Sequence, residues 1–220
     1  MLPTGAVEVS AAVGMPSRPW AAVALAHGAG AGHRHPFLVG LADALRDSGV
    51  AVLRFDFPYR EAGRRMPGPA GHATATWAAV MAQATSLVHE APVFAAGKSY
   101  GGRMASMAAA EGLIAPEGLV YLGYPLHPPG RPDRLRVEHL PAIAQPQLFL
   151  AGTNDPFVQP PEQLVAAVTS CRSAELVWID GGGHSFEVKG ARPPAETIGA
   201  GLAPPVIAWM RSQPARSAGV

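Results

Sequence analysis

Short, uninterrupted apolar runs alternate along this chain with segments of helical periodicity, and that alternation restricts the fold more than any other feature. Residues 21–26 read Ala-Ala-Val-Ala-Leu-Ala, with no polar side to offer water, as in a strand covered on both faces. Runs at 50–55, 93–96, 119–122, 147–150 and 176–179 repeat the theme, and 7–13 alternates in part, the pattern of a short N-terminal strand. Between the runs, Leu38, Leu41 and Leu45 recur at helical spacing after Pro36 and stop at Ser48-Gly49. Trp77, Val80, Met81, Ala84, Leu87 and Val88 make the apolar face of a helix with Thr74 as its cap, a core stripe and not a cofactor box. Residues 100–111 read as a helix ended by Gly112, and 161–169 as one with Pro161 near its start. A last helix must accommodate Pro204-Pro205, so its regular part is expected at 206–210. Residues 58–72 read as a loop, and 125–146 as a Pro-rich connection with at most one short helix near 133–140.

Strands alternating with helices imply an α/β fold: a mostly parallel central sheet flanked by helices, expected as one domain over residues 1–220. Right-handed crossovers bring the C-terminal ends of parallel strands to one edge, where open α/β sheets bind ligands. The connection between the runs at 119–122 and 147–150 is too short to hold a large inserted domain, so an open site is expected there.

Composition excludes several function classes. Seventeen Lys and Arg against sixteen Asp and Glu leave a formal charge of +1, without the basic excess of a nucleic-acid or polybasic membrane binder. With 48% hydrophobic and only 15% charged residues, the chain has apolar material for a core and too little charge for disorder. The single cysteine, Cys171, excludes an intramolecular disulfide and a cysteine-based zinc site, and is expected to be an inert small residue at a helix end. There is no transmembrane-length apolar run. Arg18-Pro19-Trp20 and the apolar run behind it resemble a secretory leader, but the run starts late and enters His27-Gly28-Ala29-Gly30, so it is read as a strand and the cytoplasm is the default location.

The chemistry gathers at the strand ends. Gly97-Lys98-Ser99-Tyr100-Gly101 is a G-x-S-x-G pentapeptide between a strand and a helix. A turn that projects one side chain there strains the backbone at Ser99 and crowds its flanks, which residues lacking Cβ relieve. The following helix start offers the Tyr100 N–H and a positive dipole end to an anion forming beside Ser99. A P-loop reading of Gly97-Lys98-Ser99 needs glycine where Pro92 stands, and Gly28, Gly30 and Gly32 miss the dinucleotide spacing. A serine nucleophile needs a base, and the base an orienting acid. Asp155 follows the strand at 147–150, and His184 follows the strand at 176–179 in Asp-Gly-Gly-Gly-His. Ser99, Asp155 and His184 are the candidate triad in the chain order of this architecture. The turn His27-Gly28-Ala29-Gly30 supplies the second oxyanion donor, assigned to the Ala29 amide with Gly28 and Gly30 as alternatives.

These features resemble the α/β-hydrolase superfamily, over roughly residues 21–210. More narrowly, Phe57-Pro58-Tyr59-Arg60-Glu61, Gly97-Lys98-Ser99-Tyr100-Gly101-Gly102-Arg103 and Gly123-Tyr124-Pro125-Leu126-His127 are similar to a dienelactone-hydrolase-like bacterial branch. That branch is related to eukaryotic testis-expressed hydrolase-like proteins and to a chromatin-complex scaffold subunit. The resemblance implies the fold, the triad roles, no cofactor and a small-molecule acyl substrate. It leaves as alternatives a non-catalytic scaffold and a peptidase or acyltransferase on the same residues, and says nothing of oligomeric state.

Other motifs carry weaker expectations. Arg60, with Arg64 and Arg65 nearby, is a candidate clamp for an anionic substrate group. Arg103, one turn after Ser99, is expected to tie neighbouring loops to the elbow. Tyr124 and His127 are expected to line the pocket, and Lys98 to point away from it. His33-x-His35 lacks accompanying carboxylates or cysteines, so no metal site is assigned.

Overall fold

A computed structural model describes residues 5–88, 90–190 and 193–214. The strands are β1 (Ala11–Gly14), β2 (Ala21–Ala26), β3 (Val50–Phe55), β4 (Val93–Lys98), β5 (Leu119–Leu122), β6 (Gln147–Gly152) and β7 (Ala174–Ile179). They form one seven-stranded sheet in the order β1-β3-β2-β4-β5-β6-β7. Only β1 runs antiparallel, against β3, and the other pairings are parallel. The helices are α1 (Pro36–Asp47), α2 (Pro58–Glu61), α3 (Ala70–Leu87), α4 (Tyr100–Ala110), α5 (Pro161–Ser170), α6 (Ala195–Gly201) and α7 (Ala203–Ser212).

Full burial of β2 explains its lack of alternation: both faces are covered. One face packs Phe55, Trp77, Met104, Tyr121 and Phe149 beneath α3, α4 and α5. The other packs Leu38, Leu41, Leu45, Phe94 and Trp209 beneath α1, α6 and α7. Each fully buried leucine of this kind stabilises the fold by about 1.5–3 kcal/mol relative to exposure. From β2 the chain crosses through α1 to β3 on one side, then through α3 to β4 on the other. The β2–β4 pair is therefore the point where strand order reverses, the place where such sheets open a crevice beyond their C-terminal ends. Residue Ala26 pairs with Gly97 there, so Gly28 and Ser99 leave the sheet side by side.

Several local expectations are corrected. The N-terminal strand is Ala11–Gly14, shorter than and displaced from 7–13, because its pairing is limited to the outer edge of β3. The supposed loop at 58–72 contains α2, whose first residue Pro58 is preset for a helix start. Helix α3 begins at Ala70 after Pro69, and Thr74 lies inside it, its hydroxyl donating back to the Gly71 carbonyl at 3.3 Å. The 125–146 connection does keep to at most one short helix, a 3-10 turn at Leu140–Ala142, at the far end of 133–140, with no cap domain among the described residues. Pro204 and Pro205 sit in the first turn of α7, where missing N–H groups leave no bond unmade, so that helix spans Ala203–Ser212. Helix α6 was not anticipated. It packs on α1 where Gly40 and Gly199 let the backbones touch. No helix among the described residues is long and apolar enough to cross a membrane.

Candidate active site

Strand β4 delivers Ser99 at φ 48° and ψ −112°, a conformation unfavourable for a residue with a side chain. The surroundings enforce it. Ser99 N–H donates to the Leu122 carbonyl at 3.0 Å, and the Ser99 carbonyl accepts from Arg103 N–H at 3.0 Å, starting α4. A Cβ on Gly97 would overlap the Gly101 and Gly102 backbone, and one on Gly101 would lie 2.6 Å from the His27 carbonyl oxygen. From α3, the fully buried Trp77 indole donates to the Gly101 carbonyl at 3.1 Å, tying the elbow to the core.

His184 arrives from the loop after β7, and Asp155 from the turn after β6. Gly152 lets these loops meet, since a Cβ there would collide with the Gly182 and Gly183 backbone. His184 Nε2 lies 2.9 Å from Ser99 Oγ, and His184 Nδ1 lies 2.8 Å from Asp155 Oδ2. An ionised carboxylate only accepts, which assigns the imidazole proton to Nδ1 and leaves the Nε2 lone pair facing the Ser99 hydroxyl. Asp155 is fully buried, and its Oδ1 accepts from Phe157 N–H at 2.8 Å. The Phe157 ring in turn stacks on the imidazole. Ser99, His184 and Asp155 thus form one hydrogen-bonded chain.

On the other side of Ser99 runs the turn after β2. A Cβ on Gly28 would be 3.7 Å from the Ser99 Cβ. His27 is buried, and burial lowers its pKa, so it is neutral. Its Nε2 accepts from Phe57 N–H at 3.3 Å, and its Nδ1–H donates to the Gly28 carbonyl at 2.7 Å. Ala31 N–H donates to that same carbonyl at 3.1 Å. Because a trans peptide sets C=O and N–H in opposite directions, these bonds turn the Ala29 N–H away from them. Tyr59 Oη donates to the Ala29 carbonyl at 2.7 Å, and Asp56 Oδ1 accepts from His33 N–H at 2.6 Å, so the turn is held on both sides of Ala29. Among the described residues, neither the Ala29 nor the Tyr100 N–H donates to a protein acceptor. Beside Ser99 opens a cavity of about 380 Å³, lined by Ala29, Phe37, Leu38, Phe157, His184 and Ile198 among others. Two larger surface depressions, each about 600 Å³, contain neither Ser99 nor His184. Size alone therefore does not locate the chemistry.

Other anticipated site residues are elsewhere. Tyr124 and His127 are buried and do not line the cavity: the strand end turns them beneath the 123–146 connection, where Tyr124 Oη donates to the Arg136 carbonyl at 2.8 Å and His127 Nδ1 engages the Pro128 carbonyl at 2.8 Å. Arg60, on α2, sends Nη1 to the Arg64 carbonyl at 3.3 Å and does not line the cavity. Arg103 ties down no neighbouring loop by a side-chain hydrogen bond among the described residues, and its Nε is buried without a partner. His33 and His35 diverge: His33 Nδ1 lies 2.9 Å from Asp56 Oδ2, while His35 Nδ1 accepts from Phe37 N–H at the start of α1. Cys171 caps α5, its thiol pushed up by burial.

Sequence reasoning missed the roles of Phe157, Tyr59 and Lys98. Lys98, expected to point away, is buried and reaches the His184 backbone, a lysine in an otherwise uncharged strand being the available signal. A second serine–histidine pair, Ser106 and His139, sits 2.7 Å apart but is chemically different. Ser106 is fully buried in α4, and its hydroxyl donates back to the Arg103 carbonyl at 2.7 Å, so it is shielded from any substrate.

The comparisons with known proteins agree with the fold. A dienelactone hydrolase from Anabaena variabilis superposes with a TM-score of 0.75 at 23% identity, covering 95% of this chain and 94% of that one. A lidless α/β serine hydrolase from Xanthomonas campestris gives 0.70 at 20% identity, over 94% and 91% of the two chains. Est1E from Butyrivibrio proteoclasticus, in a complex with ferulic acid, gives 0.69 at 20% identity, over 93% and 96%. At such identities the likeness establishes the fold. Residues 19–196, most of the chain, match the alpha/beta hydrolase domain family, and the chain belongs to that family.

Proposed function

We propose that the protein is a serine hydrolase of carboxylic esters or related acyl compounds. The observation that carries this reading is the unbroken chain from Ser99 Oγ through His184 to the buried Asp155, at 2.9 and 2.8 Å. In this mechanism Ser99 Oγ attacks the acyl carbonyl carbon while His184 Nε2 takes its proton, and Asp155 stabilises the imidazolium. The carbonyl oxygen becomes an anion between the Ala29 and Tyr100 N–H groups, the latter at the positive end of α4. Collapse expels the alcohol, which takes the proton from His184 and leaves an acyl-enzyme. Water, deprotonated by His184, then releases the carboxylic acid and restores Ser99.

The cavity's largely apolar lining and the absence of a cap among the described residues support small or protruding acyl groups over a long buried chain. The fold neighbours named as a dienelactone hydrolase and as a protein holding ferulic acid support the same broad class. The test is labelling by a fluorophosphonate probe of folded wild type, Ser99→Ala and His184→Ala, with turnover of an ester, thioester and amide panel. Labelling and turnover lost in both variants are expected. A well-folded wild type that neither labels nor turns over any acyl compound overturns the proposal and favours a scaffold.

A further inference from the structure

Lys98 is the only charged residue of β4, and it immediately precedes Ser99 in a strand covered on both faces. The residue is only 9% exposed. The stem passes the Gly28 turn, and Nζ donates a 2.7 Å hydrogen bond to the His184 carbonyl. Gly123, at φ 69°, leaves room for that bond: a Cβ there would lie 3.4 Å from Nζ and 3.0 Å from the carbonyl oxygen. The charged groups facing the ammonium are Asp155, from the turn after β6, and Glu187, from the segment after His184. The Phe186 ring centroid is 5.8 Å from Nζ. The remaining main-chain ties of the histidine loop run elsewhere. Asn154 N–H donates to the Gly182 carbonyl, Gly181 N–H to Thr153 Oγ1, and Gly183 N–H to the Glu187 carbonyl. Among the described residues, Lys98 alone joins the His184 main chain to the strand that carries Ser99.

We propose that Lys98 is a positioning residue: its ammonium locks the backbone at His184 to the end of β4, holding the imidazole within hydrogen-bond reach of Ser99. The inference rests on the reading of Ser99 as nucleophile. Two adjacent residues, the last of β4 and the one that follows it, then carry the tether of the base and the reacting hydroxyl, so that movement of the loop must break a charge-assisted bond. Burial lowers the Lys98 pKa to about 8. Below that value the ammonium is present and the loop is locked. Above it the neutral amine donates more weakly, and kcat falls.

The experiment measures kcat and KM for a short-chain p-nitrophenyl ester between about pH 6 and 10 in wild type, Lys98→Met and Lys98→Arg. Fluorophosphonate labelling rates and melting curves are taken in parallel. Lys98→Met is expected to lower kcat about 10–100-fold near neutral pH, with KM changed less than about threefold, and to lose the alkaline limb near pH 8. Lys98→Arg, charged throughout, is expected to stay within about tenfold of wild-type kcat and to lack that limb. A Lys98→Met enzyme with wild-type kcat and labelling rate overturns the proposal, as does an effect confined to KM, which would make Lys98 a substrate contact. Should Lys98→Met not fold, Lys98→Arg decides, and an alkaline limb kept near pH 8 overturns the proposal. Absence of Ser99 labelling in wild type overturns the nucleophile reading and this inference together, whereas equal labelling of wild type and Lys98→Met overturns this inference alone.

Discussion

The Phe157 ring lies 4.1 Å from the His184 ring, centroid to centroid, and 29° from parallel, while its own N–H is held by Asp155 Oδ1 at 2.8 Å. One carboxylate thus orients the imidazole through Oδ2 and, through Oδ1, the aromatic residue stacked on it. Such a stack contributes about 0.5–1.5 kcal/mol. Phe157→Ala should therefore lower kcat/KM about 2–10-fold in steady-state assays of a small ester, with Phe157→Leu between it and wild type. An unchanged alanine variant would mean that Asp155 alone holds the ring.

Asp155→Asn keeps the size of the side chain and an acceptor for Phe157 N–H, but presents an amide donor to His184 Nδ1. The imidazole must then carry its proton on Nε2, the wrong side for accepting from Ser99. A loss of about 10³–10⁴ in kcat is expected with the fold retained. Turnover and labelling kinetics, beside a circular-dichroism melt, check it.

The elbow glycines make a stability prediction. Gly101→Ala would place a methyl 2.6 Å from the His27 carbonyl oxygen and 2.7 Å from the Ala26 Cβ, both in a fully buried strand end. Overpacking of this kind costs about 1–3 kcal/mol, read as a lower urea midpoint, and displaces the turn beside Ser99. Gly71→Ala is the control. It lies in α3 with nothing within 4 Å of its would-be Cβ, so helix propensity should stabilise the protein by about 0.5–1 kcal/mol.

Buried histidines predict the sign of the pH dependence. His27 and His139 both have pKa values lowered chiefly by burial, so the unfolded chain binds protons that the folded one refuses. The stability they confer is fully present above the unfolded value of about 6.5 and is lost as pH falls through their depressed folded values. Melting temperature should drop between about pH 7.5 and 5, and His27→Asn should reduce the slope. A slope identical in wild type and variant would show that His27 takes up its proton without unfolding.

Where a feature depended on neighbours in the chain, it was readable from the residues alone. Uninterrupted apolar runs place strands because a strand covered on both faces has no position for a polar side chain. Chain order and strand-end placement set Ser99, Asp155 and His184 on one sheet edge, since parallel strands share the direction of their C-terminal ends. The elbow was legible through its glycines, which answer a crowding that begins within five residues. Orientation at a strand end is another matter. Whether Lys98 turned inward, or Tyr124 and His127 turned away from the cavity, depended on loops returning from distant parts of the chain. Lys98 meets a carbonyl eighty-six positions away; Tyr124 is covered by a connection whose proline-rich sequence carries no periodicity. Those contacts are set by how the two helical layers close over the sheet, where burial and hydrogen-bond completion decide between directions that local sequence leaves equal.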